Sequence, residues 1–218
     1  MYVGYKYGTT GSLESNRLNT NNSTIKTYID NWYNKNLSSY SKYISTEAVY
    51  CNDRELASGQ TYSTSSSFNY APYGRLYTNE TPTYNCTNSK DAFSGSNSEA
   101  KLTYPIGLMT ADEISYAGGK AYTNLPSPYA WYYLNSAGES IIGSTSWWAL
   151  SPCDWIDSVS GVWNVSGSAM PGNLNKYFHM NVSFAVRPAL SLKSCTKWIS
   201  GDGSANNPYT IKETETGC

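Results

Sequence analysis

The stretch that decides the fold runs from Trp147 to Leu192: WWALSPCDWIDSVSGVWNVSGSAMPGNLNKYFHMNVSFAVRPALSL. Its ends are built like scaffold. Aromatic residues and Ser-Pro open it, and Val186-Arg187-Pro188 leads into alternating apolar residues. Its middle lacks a clear strand or helix period and mixes Cys, Asp, Asn, Tyr, Phe, His and Ser. A rigid frame under an irregular, chemically mixed surface is how binding proteins are made. The contrast points to recognition rather than catalysis.

Around this stretch the pattern is α+β. Segments AWYYLN, SWWALSP, GVWNVSG and FAVRPALSLK are aromatic or β-branched and separated by turn residues, which predicts a cluster of antiparallel strands. Upstream, NNSTIKTYIDNWYNKNL predicts a helix with Ser23 as N-cap and an apolar face of Ile25, Tyr28, Ile29 and Trp32. In KLTYPIGLMTADEISYAGG, Leu102 to Leu108 is an extended lead-in. Thr110 and Glu113 then form a capping box, and Gly118-Gly119 ends the short helix it opens. YVGYKY is a candidate first strand, and residues 57–100 look like loop. The tail, SGDGSANNPYTIKE, is a Gly-Asp-Gly turn followed by a short strand. The expected organisation is one domain over 1–218, with two helices, a small sheet, long loops and a tail from 194 to 218.

Composition excludes several functions. The chain has 218 residues, and its 15 basic side chains nearly balance 16 acidic ones with no basic stripe, so nucleic-acid binding is not expected. Tyr, at 21 residues, outnumbers Phe at 4, and seven Trp supply large buried areas that argue against disorder. Abundant Tyr, Ser and Asn with little charge matches extracellular, adhesive surfaces. No apolar run is long enough to span a bilayer, and no signal-peptide pattern is present. Membrane attachment is therefore expected only through a segment preceding this sequence.

The spacing of the five cysteines rules out CxxC-type zinc or redox motifs. Cys51 and Cys86 lie in similar short polar contexts on either side of the loop-rich stretch. They are either buried thiols or a disulfide, and the extracellular-looking composition favours the disulfide. Cys195 and Cys218 are a possible second pair, which leaves Cys153 over, expected as a surface residue. No metal or cofactor is expected, since His179 is the only histidine.

Two helices followed by WWALSP, GVWNVSGS and FAVRPALSLK resemble the C-type lectin fold. Within it, they resemble the variable proteins diversified by diversity-generating retroelements. YPIGLMTADEISYAGG and SGDGSANNPYTI are similar to segments of bacterial surface and pilin-like proteins that carry this module. The resemblance implies a variable region whose Asn-type codons are randomised at adenines. The residues it nominates for ligand contact are Cys153, Asp154, Ile156, Asp157, Ser158, Asn173, Asn175, Tyr177, Phe178, His179, Asn181, Val182, Ser183 and Phe184. Trp155, Trp163, Met170, Lys176 and Met180 are unreachable from such codons and are expected to be fixed or to come from other codons. Formylglycine-generating enzymes are similar in fold, but Cys153 has no partner cysteine in sequence. The calcium-lectin signatures Glu-Pro-Asn and Gln-Pro-Asp are absent.

Bland readings compete at several positions. Asp154 and Asp157 lack the apolar setting of a paired-carboxylate glycosidase and are expected as solvated loop acids. Trp147 and Trp148 are expected to divide between core and surface at most, by strand alternation. Arg187 is read as structural rather than as a substrate clamp. The expected function is an extracellular recognition module, on a bacterial or phage surface, for a protein or glycan ligand. A structural subunit of a pilus or filament is the alternative, and a degenerate formylglycine-generating type enzyme is the least favoured reading.

Overall fold

Adjacent residues on a strand point to opposite faces, so Trp147 and Trp148 can both be buried only if the sheet is covered on both sides. Both are fully buried. The computed structural model describes residues 22–125, 146–157, 159–167, 170, 172–176, 182–204 and 206–217. YVGYKY and AWYYLN lie outside them. The described chain is α+β, with short helices and a curled mixed sheet in the strand order β2-β6-β7-β8-β5. These strands are β2 (Phe68–Asn69), β5 (Lys120–Ala121), β6 (Trp147–Ile156), β7 (Val159–Val165) and β8 (Asn173–Asn175). The β5–β8 pair is parallel and the other pairs of this sheet are antiparallel.

The long hairpin β6–β7 is the spine. On one face Trp148, Val159 and Val162 join Ile25, Ile29, Ile106 and Leu108 in a first cluster. On the other, Trp147, Ala149, Cys153, Trp163 and Val165 join Ile114 and Leu174 in a second. Burying one such aromatic or aliphatic side chain stabilises by about 1.5–3 kcal/mol, so the tryptophans dominate this chain, which is poor in aliphatic residues. The expected division of Trp147 and Trp148 between core and surface is corrected. Alternation holds, but both sides are core.

Pro152 sits inside β6, where it has no N–H to give the ladder. The strand tolerates it because the register shifts on either side of it. The same irregularity frees Ser151 Oγ to accept from Ala111 N at 2.9 Å. That bond ties the spine to α3 (Ala111–Tyr116), after α1 (Thr24–Asn36) and α2 (Ala71–Tyr73) in chain order. The capping box that opens α3 is formed as the sequence predicts. Thr110 Oγ1 accepts from Glu113 N, and Glu113 Oε2 accepts from Thr110 N at 2.7 Å.

Ser23 caps α1, as expected. The buried face of α1 differs from expectation. Ile25, Ile29 and Tyr33 are buried, whereas Tyr28 and Trp32 are 43% and 39% exposed. The inward stripe advances by four residues rather than by three and four alternately. Tyr33 takes the inward position because its ring meets Tyr104, with centroids 5.2 Å apart.

The 57–100 stretch is more ordered than its composition implies. It holds β2, α2, the π turn Gly74–Thr78 and β3 (Ala92–Phe93), which pairs with β1 (Tyr50–Cys51). Cys51 and Cys86 are joined, as expected. Such bridges typically contribute about 2–5 kcal/mol in small secreted domains. Ionic contacts add order: a buried one of Arg54 on Asp91, and a half-buried Arg75 between Asp53 and Asp112. Cys195 is also disulfide-bonded, while Cys218 lies outside the described residues.

Urea denaturation separates the two helix faces. Ile29→Ala is expected to cost about 2–5 kcal/mol, as for other buried aliphatics. Trp32→Ala is expected to cost under about 1 kcal/mol, as at exposed positions. The reverse ranking would refute this placement of the face.

Candidate functional site

The tip of the β6–β7 hairpin carries the first nominated residues. Asp157 is exposed and takes a left-handed φ of 52°. Ile156, half-buried, pairs with Val159 across the turn. One step back the character changes. Asp154 is 2% exposed, and Cys153 is fully buried in the second cluster. Both expectations are corrected. Cys153 is not a surface residue, and Asp154 is not a solvated loop acid.

Asp154 is buried because a glycine opposite leaves room for it. Asp154 pairs with Gly161 across the hairpin, and a Cβ at Gly161 would stand 2.0 Å from Asp154 Oδ1. Lys176, just after β8, approaches over the same gap and places Nζ 3.4 Å from Asp154 Oδ2. Nζ also lies 4.5 Å from the Tyr73 ring centroid, a cation–π distance. Burial pulls the Lys176 ammonium down, but Asp154, Cys153 and Tyr73 together lift it net above the ordinary lysine value. Burial, with Asp154 beside it, pushes the Cys153 thiol well up. A thiol held protonated in an apolar cluster behaves as a small hydrophobe, not as a nucleophile.

Asn173 and Asn175 are likewise buried in β8. Their strand is held by the Asn164 carboxamide, whose Nδ2 donates to the Asn175 carbonyl at 2.9 Å. The polar residues of NLN therefore belong to the frame. Val182 and Phe184 are half-buried against the first cluster, and the Phe184 ring lies 4.7 Å from that of Trp148. Ser183 is exposed. Ser158, Tyr177, Phe178, His179 and Asn181 lie outside the described residues. The nominated set thus divides. Cys153, Asp154, Asn173 and Asn175 are interior, and Ile156, Asp157, Val182, Ser183 and Phe184 reach the surface wholly or in part. An exposed face that joins Asp154 to Ile156, Asp157, Tyr177, Phe178, His179, Asn181, Ser183 and Phe184 is expected from the sequence, and it is corrected at Asp154, which is buried.

The far end of the segment is bolted to the spine. Ala185 N donates to the Ser146 carbonyl at 2.9 Å, and Trp148 N donates to the Ala185 carbonyl at 3.2 Å. The Arg187 guanidinium carbon stands 4.9 Å from the centroid of the Trp147 ring. Arg187 is therefore in a packing position, as its structural reading expects.

Sequence reasoning missed the roles of Tyr73, Gly161 and Lys176. Gly161 carried a signal: a glycine inside a strand pattern marks a close approach. Among the described residues, no group of three or more His, Cys, Asp and Glu is placed to hold a metal ion. No helix there is long and apolar enough to cross a membrane. No known protein family, curated protein or solved structure matches the chain.

Lys176→Met is expected to cost about 1–3 kcal/mol by removing a charge-assisted contact from a buried carboxylate. The lysine's folded pKa is raised above its unfolded value of about 10.4. Its contribution should then be fully present below that value and fade as pH rises through the folded pKa. Urea melts of both proteins from neutral to alkaline pH check this. A stability difference that grows with pH would contradict the ion pair.

Proposed function

We propose that the chain is an extracellular recognition module on a C-type-lectin-like scaffold. Its ligand-contacting surface is the hairpin tip, Ile156 and Asp157, with the 177–184 segment. The observation that carries this reading is the division just described. A strand spine buried on both faces adjoins Ile156, Asp157 and Ser183, which reach the surface and belong to no core cluster. Of the residues that codon reasoning fixes, Trp155, Trp163 and Lys176 are interior or pinned, Met170 is exposed, and Met180 lies outside the described residues. Variation at Ile156, Asp157 and Ser183 then leaves the frame standing. The buried, protonated Cys153 favours binding over the formylglycine-generating type of chemistry. The Cys51–Cys86 disulfide is consistent with an oxidising, extracytoplasmic setting, and display on a bacterial or phage surface follows from the resemblance in sequence. The ligand class that fits a surface of this composition is a protein or a glycan.

A filament subunit is the second reading. One observation favours it: the ribbon of β10 (Trp198–Ser200) and β11 (Thr210–Ile211) leaves Trp198, Ile199 and Tyr209 about 60–70% exposed. Two-stranded ribbons are marginal alone and gain from being covered.

A display library randomised at Ile156, Asp157, Ser183 and 177–181 tests the recognition reading. Most clones should stay folded if these positions lie outside the core, since exposed substitutions usually shift stability by under about 0.5 kcal/mol. Selection on an arbitrary protein target such as lysozyme should then yield binders. A library that mostly unfolds would sink the proposal. So would parent protein that polymerises through the Trp198 ribbon while tolerating no change at these positions.

A further inference from the structure

A concavity lies between the start of α1 and the β1–β3 pair. It has a volume of about 200 Å³. Its floor is apolar, made of Ile29, Ile106 and Leu108, all 2% exposed or less. Tyr50 and Phe93, which face each other across β1 and β3, give it aromatic walls. Gly107 holds this shape, since a Cβ there would stand 2.5 Å from the Tyr50 ring.

One residue of the lining is out of keeping with a structural role. Asn52 is 4% exposed, and its Oδ1 is fully buried without a hydrogen-bond partner among the described residues. Its backbone is fixed, with N–H donating to the Asp91 carbonyl at 2.9 Å. Burying an unsatisfied amide oxygen costs about 1–3 kcal/mol, and an apolar residue of the same shape would avoid that cost. Such a group is retained where something completes it. Asp91 cannot, because its carboxylate only accepts and is itself held by Arg54.

The chemistry of the missing partner follows from the lining. A carboxamide offers donors and an acceptor together, and its terminal torsion is soft, so a small turn presents either to the cavity. A carboxylate, which only accepts, cannot complete the Asn52 oxygen, whereas the N–H of a secondary amide can. The rim carries Lys101 and Glu99, both exposed, and Lys26 is already paired with Asp30, so the site has little preference for net charge. The apolar floor suits a methyl group. The aromatic walls suit a sugar face, and the polar rim suits its hydroxyls. We propose that this cavity binds the acetamido group of an N-acetylhexosamine, with Asn52 pairing to the amide and Ile106 and Leu108 receiving the methyl. The site is independent of the 153–184 surface and stands or falls separately from it.

The test is titration of the full chain with N-acetylglucosamine, followed by two-dimensional amide NMR. The Asn52 side-chain amide and the Gly107 and Leu108 backbone amides should shift together and saturate. Glucose and glucosamine, which lack the acetamide, should bind at least about tenfold more weakly, the equivalent of about 1.4 kcal/mol. Asn52→Leu should keep the wild-type fold by the same spectrum and melt no lower, while losing the titration. Asn52→Gln, which keeps the carboxamide, controls for a variant that fails to fold. If it folds, it should retain more binding than Asn52→Leu. Unshifted Asn52 signals, equal binding of glucose, or unchanged binding by Asn52→Leu would overturn the proposal. Equal binding of N-acetylglycine amide would overturn the assignment to a sugar. Library variants altered at Ile156, Asp157 and Ser183 should bind the probe as the parent does.

Discussion

The structure depends on the opposed burial of Trp147 and Trp148. Neighbouring indoles sent to opposite faces of β6 require a core on each side. The chain supplies α1 and Ile106–Leu108 on one, and α3 with Leu174 on the other. The remaining anchors attach to this pair. Arg187 stacks over Trp147, Phe184 leans on Trp148, and the Trp148 N–H holds the Ala185 carbonyl. Removing either indole would open a cavity next to the strand that positions the hairpin tip.

Much of the frame was legible because its signals are local. The capping box needs only Thr110 and Glu113, and the strands announce themselves by aromatic and β-branched runs between turn residues. Ser23 was readable as a cap for the same reason. The inward face of α1 was not, because two stripes fit its sequence and the choice rests on Tyr104, some seventy residues away. The small elements within 57–100 were hidden for a related reason. Strands of two residues carry no period, and their order comes from the Cys51–Cys86 bridge and the Arg54–Asp91 contact rather than from propensity.

The candidate surface was half legible. Codon reasoning marks which residue types can vary but knows nothing of depth, so it nominated Asp154 and Asn173 alongside Asp157 and Ser183. Asp154 is interior because Gly161 leaves space for its carboxylate and Lys176 neutralises it, a juxtaposition set by strand pairing rather than by any local pattern. The aspartate at the tip and the aspartate three residues before it thus have opposite roles. The cavity at Asn52 left no trace in the sequence at all, since an asparagine beside a disulfide cysteine is an ordinary loop residue until its burial is known.

Residue-resolved hydrogen exchange tests the division between frame and surface most directly. Amides of Trp148, Trp163 and Val165 should exchange only through global unfolding, while those of Asp157, Val182 and Ser183 should exchange through local opening at far lower free energy. Protection of Asp157, Val182 and Ser183 at the level of the spine would place them in the cooperative core and contradict a separable recognition surface.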